Sequence, residues 1–335
     1  MQALSIEAEK YSGTAFQTLY LGGGTPSLLQ ARGVKILLSE LSSIFDLSHI
    51  TEATFEANPE SLTPALLESA LSAGLNRISI GVQSLADCEL ERVGRIHNAE
   101  QALQALEKAS KAGFKNISAD VILGLPGQNW SSLQTTLSRL INLSLQHISV
   151  YCLSVEPHTP LASNLPADLP GEDAQANLFE MVIKLLAEAG FLHYEISNFA
   201  RPGYECQHNL NYWRGGEYLG LGPAAASHLK GKRFKNHSDL EAYIINPTGQ
   251  LEEVEELAAP DKAAEEVITR LRLLNEGLDI VALSEKFGTV NIKALSDKLD
   301  RLTQKGYIKH EGGRFRLAAE YALVSNSILF QLLGD

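Results

Sequence analysis

An acidic side chain interrupts the otherwise apolar run Ile117-Ser118-Ala119-Asp120-Val121-Ile122-Leu123. Side chains alternate along a strand, so Ser118, Asp120 and Ile122 share one face and Ile117, Ala119, Val121 and Leu123 the other. If the first face points inward the carboxylate is buried, and a buried carboxylate needs a cation or several hydrogen-bond donors. Asp120 therefore either pairs with an arginine or hydrogen-bonds a ligand. Arg95, in Gly94-Arg95-Ile96-His97-Asn98, could be that partner or could hold a carboxylate in the ligand. An exposed helix arginine would account for it equally.

Other chemistry-bearing residues stand where apolar runs end. One run leads into Gly22-Gly23-Gly24-Thr25-Pro26, where residues without Cβ let backbone approach a ligand closely, or simply make a tight turn. The spacing is neither a Walker loop nor Gly-x-Gly-x-x-Gly. Glu56 precedes Asn58-Pro59, and Gln83 follows Gly81; both could equally cap neighbouring loops. Further on, Cys206-Gln207-His208-Asn209-Leu210-Asn211-Tyr212-Trp213 leads to Tyr218-Leu219-Gly220-Leu221-Gly222-Pro223. An imidazole at His208 beside flat rings would suit an aromatic macrocycle and its metal, and a hydrogen-bonded loop histidine is the alternative.

The elements that must position these residues alternate. Apolar runs at Thr18–Leu21, Ala53–Glu56, Arg77–Gln83, Ile117–Leu123 and His147–Leu153 have strand length. Helical segments lie between them, opened by Thr63-Pro64 and by Asn98 with Gln101. Three helices end alike, at Ala73-Gly74-Leu75, Ala112-Gly113-Phe114 and Ala189-Gly190-Phe191, which suits a left-handed residue after a helix. Strand-helix-strand alternation predicts a parallel sheet with right-handed crossovers. The fold class expected is α/β, a partial (β/α) barrel, with a doubly wound open sheet as the alternative. In a barrel the strands' C-terminal ends carry the site. From about Asp261 the pattern becomes helices followed by a hairpin through Tyr307–His310 and Gly313–Leu317, a smaller winged-helix-like domain. Its Lys305, Lys309, Arg314 and Arg316 raise nucleic-acid binding as a competing function.

Composition sets bounds. The chain has 335 residues, 44% hydrophobic and 20% charged, with a net charge of −12. That length implies a barrel-sized domain plus a smaller one, and no apolar run is long enough to span a membrane. The negative charge argues against broad nucleic-acid binding, which needs Lys and Arg at phosphates. Cys88, Cys152 and Cys206 are odd in number and far apart, which indicates a reducing compartment, the cytoplasm or an organelle matrix.

In order along the chain, Gly22-Gly23-Gly24-Thr25-Pro26, Glu56-Ala57-Asn58-Pro59-Glu60, Gly81-Val82-Gln83-Ser84, Asp120 through Gly127 and His208 through Trp213 resemble the oxygen-independent coproporphyrinogen III oxidase-like radical S-adenosylmethionine (SAM) family. The His-Asn-x-x-Tyr-Trp stretch resembles its haem-chaperone branch, HemW. The resemblance implies that Gly23, Gly24, Thr25, Glu56, Gln83, Arg95, Asp120 and Ser154 bind SAM and that His208 meets haem or porphyrin. It implies a radical SAM core over residues 1–200, a haem-motif and connecting segment over 201–255, and a HemN-like C-terminal domain over 256–335. It also implies a haem-recipient protein as partner. Ala224 stands where the family pattern leads one to expect glycine, so the loop before Ser227 and His228 is expected to be slightly altered.

The family's Cys-x-x-x-Cys-x-x-Cys loop, whose thiolates hold a [4Fe-4S] cluster, has no counterpart here. Cys88, Cys152 and Cys206 belong to separate units, so no cluster is expected on them. The chain reads as truncated inside the domain, without the first strand and cluster loop. Radical cleavage of SAM then has no route in this polypeptide. Haem binding and delivery is the leading expectation. Oxidative decarboxylation of coproporphyrinogen III is an alternative that would need the cluster, and nucleic-acid binding by the C-terminal domain is an alternative of another class.

Overall fold

The structure, a computed structural model, describes residues 1–249 and 251–333. It divides into two compact units, one made of Thr18–Lys35 and Glu52–Glu205, the other of Met1–Gln17, Ile36–Thr51 and Cys206–Asp335.

The first unit carries a seven-stranded sheet. Strands β1 (Thr18–Leu21), β2 (Glu52–Ala57), β3 (Arg77–Gln83), β4 (Asn116–Leu123) and β5 (His147–Cys152) run parallel in sequence order. Beyond β5, strands β6 (Leu192–Glu195) and β7 (Asn198–Ala200) form a hairpin whose β7 pairs antiparallel with β5. Every crossover from β1 to β5 steps the same way across the sheet. A doubly wound sheet would reverse direction, so the arrangement is a partial (β/α) barrel of the radical SAM type, open between β1 and β6.

Alternation along these strands makes two different faces. One is apolar, with Phe55, Ile78, Ile80, Val82, Ala119, Val121, Leu123, Ile148 and Val150 buried; the helices Ala99–Ala112 and Glu172–Glu188 contact the sheet. The other is polar, with Glu56, Ser79, Ser118 and His147 abreast across four strands and Asp120 abreast of Gly81 and Ser149.

Local sequence explains the element ends. Thr63 caps the helix Pro64–Ser72, its hydroxyl accepting from the Leu66 N–H at 3.2 Å, a contact typically worth about 1 kcal/mol. Asn98 and Gln101 form a reciprocal capping box at the head of Ala99–Ala112. That helix ends at Gly113, whose φ of +118° few other residues adopt.

The second unit begins with the helix Gln2–Glu9 and contains two three-stranded sheets. Strands β8 (Ala226–Leu229), β9 (Lys232–Lys235) and β10 (Glu252–Glu256) are antiparallel, with β9 central. The buried carboxylate of Glu7 accepts hydrogen bonds from the Gly222 N–H at 2.9 Å, the Asn236 amide and the Tyr243 hydroxyl. Three donors offset much of the cost of burying that charge. Strands β11 (Leu278–Asp279), β12 (Ile308–Glu311) and β13 (Arg314–Leu317) form the wing expected beside the helices Ala259–Leu271, Ile280–Phe287 and Thr289–Gln304. Among the described residues no helix is long and apolar enough to cross a membrane.

Candidate functional site

The polar face of the barrel ends in a small pocket of about 170 Å³ lined by Gly24, Thr25, Glu56, Asn58, Ser79, Gly81, Gln83 and Asp120, among others. Five of the residues singled out from sequence therefore converge. Gly23 immediately precedes the lining, at φ +95°.

Asp120 is held from its neighbours on the sheet. Ser79 Oγ donates to its two carboxylate oxygens at 3.0 and 3.1 Å, and Ser118 Oγ lies 3.4 Å away. Loss of water pushes the Asp120 carboxyl above the usual range, against hydrogen bonds from Ser149 and Ser79 and the charge of buried Arg77. The arginine near Asp120 is thus Arg77, at the start of β3. Arg95 turns elsewhere: its Nη2 donates to Asn58 Oδ1 at 3.0 Å and to the Gly81 carbonyl at 3.2 Å. Burial lowers the pKa of that guanidinium.

Glu56 accepts from the Tyr20 hydroxyl at 2.6 Å. Burial first, and then the Glu56 charge, keeps that phenol protonated. Two close approaches require glycine. A Cβ on Gly22 would stand 2.7 Å from the Tyr20 ring and 2.8 Å from Glu56 Oε2. A Cβ on Gly81 would stand 2.8 Å from Gln83 Nε2 and 3.2 Å from both Arg95 Nη2 and Asn58 Oδ1. Gln83 itself has φ +65°, next to a register shift between Gly81 and Gln83. A non-glycine residue held there is strained, and the strain turns the strand end at the pocket rim.

The set suits a ligand with an ammonium, a carboxylate and hydroxyl groups. Carboxylates at Glu56 and Asp120, a guanidinium at Arg95, amides at Asn58 and Gln83 and a hydroxyl at Thr25 supply complementary charge and hydrogen bonding. Ser154 is placed apart from this lining, exposed, with its hydroxyl donating to Glu156 at 2.6 Å. Tyr20, Asn58, Ser79 and Arg77 were not singled out individually as ligand residues from sequence. The strand Arg77-Ile-Ser-Ile-Gly-Val-Gln83 alternates polar or small with apolar, and that period could have found Ser79 and Arg77.

His208 lies in the second unit, half-buried on the short helix Gln207–Trp213. Its ring meets Tyr212 edge-on, 5.0 Å between centroids, as spacing of four on a helix allows. Tyr212 meets Tyr218 at 4.4 Å, and Tyr218 meets His228 at 6.0 Å. The four rings form a continuous row. Asn211 of the same stretch donates to the Glu217 carbonyl at 2.9 Å, tying the helix to the loop that follows it. Ala224 sits at φ +57°, which explains why glycine would be expected there.

The cysteines do not fit an iron-sulfur cluster. Cys88 is exposed on the helix Asp87–Arg92, Cys206 is buried in the other unit, and burial pushes the Cys152 thiol up to about 11. A ligand must be a thiolate, and the raised Cys152 thiol resists forming one. The basic residues of the wing are engaged within the unit. Arg314 lies 3.6 Å from Asp279 and Lys309 3.9 Å from Glu320, while Arg316 donates to the Asn275 carbonyl at 3.0 Å.

Comparison with known proteins identifies the frame. The radical SAM superfamily model matches residues 5–140 and the HemN C-terminal domain model residues 257–320. The haem chaperone HemW of Lactococcus lactis is 31% identical over 100% of this chain and 89% of its own length. That of Escherichia coli is 34% identical over 96% of this chain and 85% of its own. The solved structure of coproporphyrinogen III oxidase (HemN) from Escherichia coli, a radical SAM enzyme, superposes with a TM-score of 0.85 at 23% identity. It covers 99% of this chain and 82% of the other, and shows the shared fold.

Proposed function

This chain belongs to the haem chaperone HemW family of radical SAM proteins, and from that premise we propose that it binds SAM and haem and hands haem to a recipient protein. The observation that carries the reading is the row of rings His208, Tyr212, Tyr218 and His228, an imidazole-ended aromatic surface that includes the stretch for which the family resemblance implies haem. Flat rings bury the macrocycle's faces, and an imidazole nitrogen ligates iron. His208 is assigned to haem.

SAM is assigned to the strand-end pocket of the barrel. Glu56 and Asp120 would take its ammonium and ribose hydroxyls, Arg95 its carboxylate, and Gly23, Gly24 and Thr25 its methionyl end; Ser154 completes the set by family position. Bound SAM would be a source of methyl or adenosyl groups. The pocket's own work is to hold a charged ligand out of water. Cytoplasm or an organelle matrix suits the free thiols at Cys88, Cys152 and Cys206.

The test is a haem titration followed in the Soret region. The reading expects a saturable shift at one haem per chain, weakened at least tenfold in His208→Ala. No specific shift overturns haem binding, and an identical shift in the variant overturns the assignment of His208.

A further inference from the structure

Two carboxylates, Glu56 and Asp120, share the strand-end pocket of about 170 Å³ in the first unit. What reaches Asp120 there is hydroxyl groups: Ser79 Oγ at 3.0 and 3.1 Å and Ser118 Oγ at 3.4 Å, with Ser149 abreast on β5. Among the described residues Asp120 makes no ion pair, and Arg77 acts on it as a charge at a distance. Gly81 is abreast of Asp120 in the register of β3 and β4, and Arg77 starts β3 four residues earlier, roughly 13 Å along the strand. The Arg95 guanidinium is engaged by Asn58 and the Gly81 carbonyl. Two like charges in so small a space, with no cation on Asp120, favour a proton on one of them.

The groups around Asp120 make it the holder of that proton. Loss of water first, and the Glu56 charge last, raise its carboxyl against Ser149, Ser79 and Arg77. On β1 the Tyr20 phenol donates to Glu56 at 2.6 Å, and on β5 the Tyr151 phenol is kept protonated by burial first, then by the charges of Asp120 and Glu195. His147 reaches Asp120 through Ser118, whose Oγ lies 2.8 Å from its Nδ1, and burial keeps that ring neutral. A hydroxyl accepts as well as donates, so the surrounding serines can satisfy Asp120 with its proton or without it.

We infer that SAM enters this pocket in exchange for a proton, its ammonium and sulfonium replacing the hydrogen that Asp120 carries in the unliganded chain. The inference rests on the assignment of SAM to this pocket and goes past it by making binding proton-linked, weaker in acid and selective for a cationic ligand. The O–H bond of Asp120 breaks, the proton passes to a base in solution, and no electron moves.

The experiment titrates SAM into the full chain by calorimetry from about pH 5 to about pH 7, in pairs of buffers that differ in heat of ionisation. Unmodified chain should release about one proton per SAM at the acid end and less as pH rises, with affinity climbing by up to about tenfold per pH unit. Asp120→Asn should bind more weakly, release no proton and show an affinity flat with pH. An infrared difference spectrum should lose the C=O band of a protonated carboxyl when SAM binds the unmodified chain, and should not in that variant. Ser79→Ala keeps the carboxyl and removes a donor to its charged form, so it should move the release to higher pH. Circular dichroism of each variant confirms folding. If the chain binds no SAM across this range, the pocket assignment fails and this inference with it. If SAM binds and no proton is released, or if Asp120→Asn releases as much as the unmodified chain, or if Ser79→Ala leaves the release where it was, the inference is overturned while the SAM reading stands.

Discussion

Ser79 Oγ stands 3.0 and 3.1 Å from the two carboxylate oxygens of Asp120, so one strand of the barrel donates into the acid of the next. That bond and the nearby charge of Arg77 only partly offset the loss of water, which leaves the Asp120 carboxyl raised. A raised folded-state pKa means the folded chain holds a proton that the unfolded chain releases. Stability from this group is full below the unfolded value of 3.8 and is lost as pH rises through the folded one. Asp120→Asn should therefore raise the denaturation midpoint at pH 7 and lower SAM affinity by on the order of tenfold. Urea unfolding and calorimetric titration check both; a destabilised variant with unchanged SAM affinity would contradict the assignment.

Gly81→Ala should act by crowding. Its Cβ would enter the space shared by Gln83, Arg95 and Asn58, three polar ends that must shift apart. The expected outcome is a loss of SAM affinity of about tenfold or more, of the size that one or two disrupted hydrogen bonds produce. The far-UV circular dichroism should not change. Wild-type affinity in this variant would show that the three groups do not bind together.

Two histidines in the first unit should make the protein acid-sensitive. His147 is buried, bonded to Ser118 at 2.8 Å and Tyr194 at 2.9 Å, and burial holds its pKa well below 6.5. Burial lowers His193 from 6.5 to about 4, against carbonyl contacts that raise it. Both folded values lie below the unfolded one, so the unfolded chain gains protons first as pH falls below 6.5. Stability should drop between pH 6.5 and 4 by at most about 1.4 kcal/mol per pH unit for each histidine. His147→Gln should flatten that slope whatever it does to stability at pH 7, and an unchanged slope from denaturant unfolding at pH 7, 6 and 5 would contradict this account.

Ala224 occupies the left-handed region at φ +57°, where a Cβ is strained. Ala224→Gly should stabilise the chain by roughly 0.5–1 kcal/mol, relief of strain exceeding the added freedom of the unfolded state. A thermal midpoint that falls instead would mean the loop relaxes differently in solution.

Much of this was legible in the sequence. The parallel strands and their capped helices follow from local punctuation, as at Thr63-Pro64 and Asn98 with Gln101, because those signals act within one turn of chain. Asp120 was found by alternation within a single strand. The same period, applied to Arg77–Gln83, yields Ser79 and Arg77, but reading these strands as apolar runs hid the polar layer. What could not be read is pairing across strands: that Arg95 meets Asn58 rather than Asp120 depends on the register of β2 and β3 and on the loop after Gln83.

The central claim is that this chain carries haem and gives it up. Loading the chain with one equivalent of haem and mixing it with excess apomyoglobin, followed at the Soret maximum, tests that claim directly. The account predicts a bound spectrum distinct from free haem, followed by complete transfer to the acceptor. Haem that never acquires a protein-bound spectrum, or that stays on the chain in the presence of excess acceptor, would contradict it.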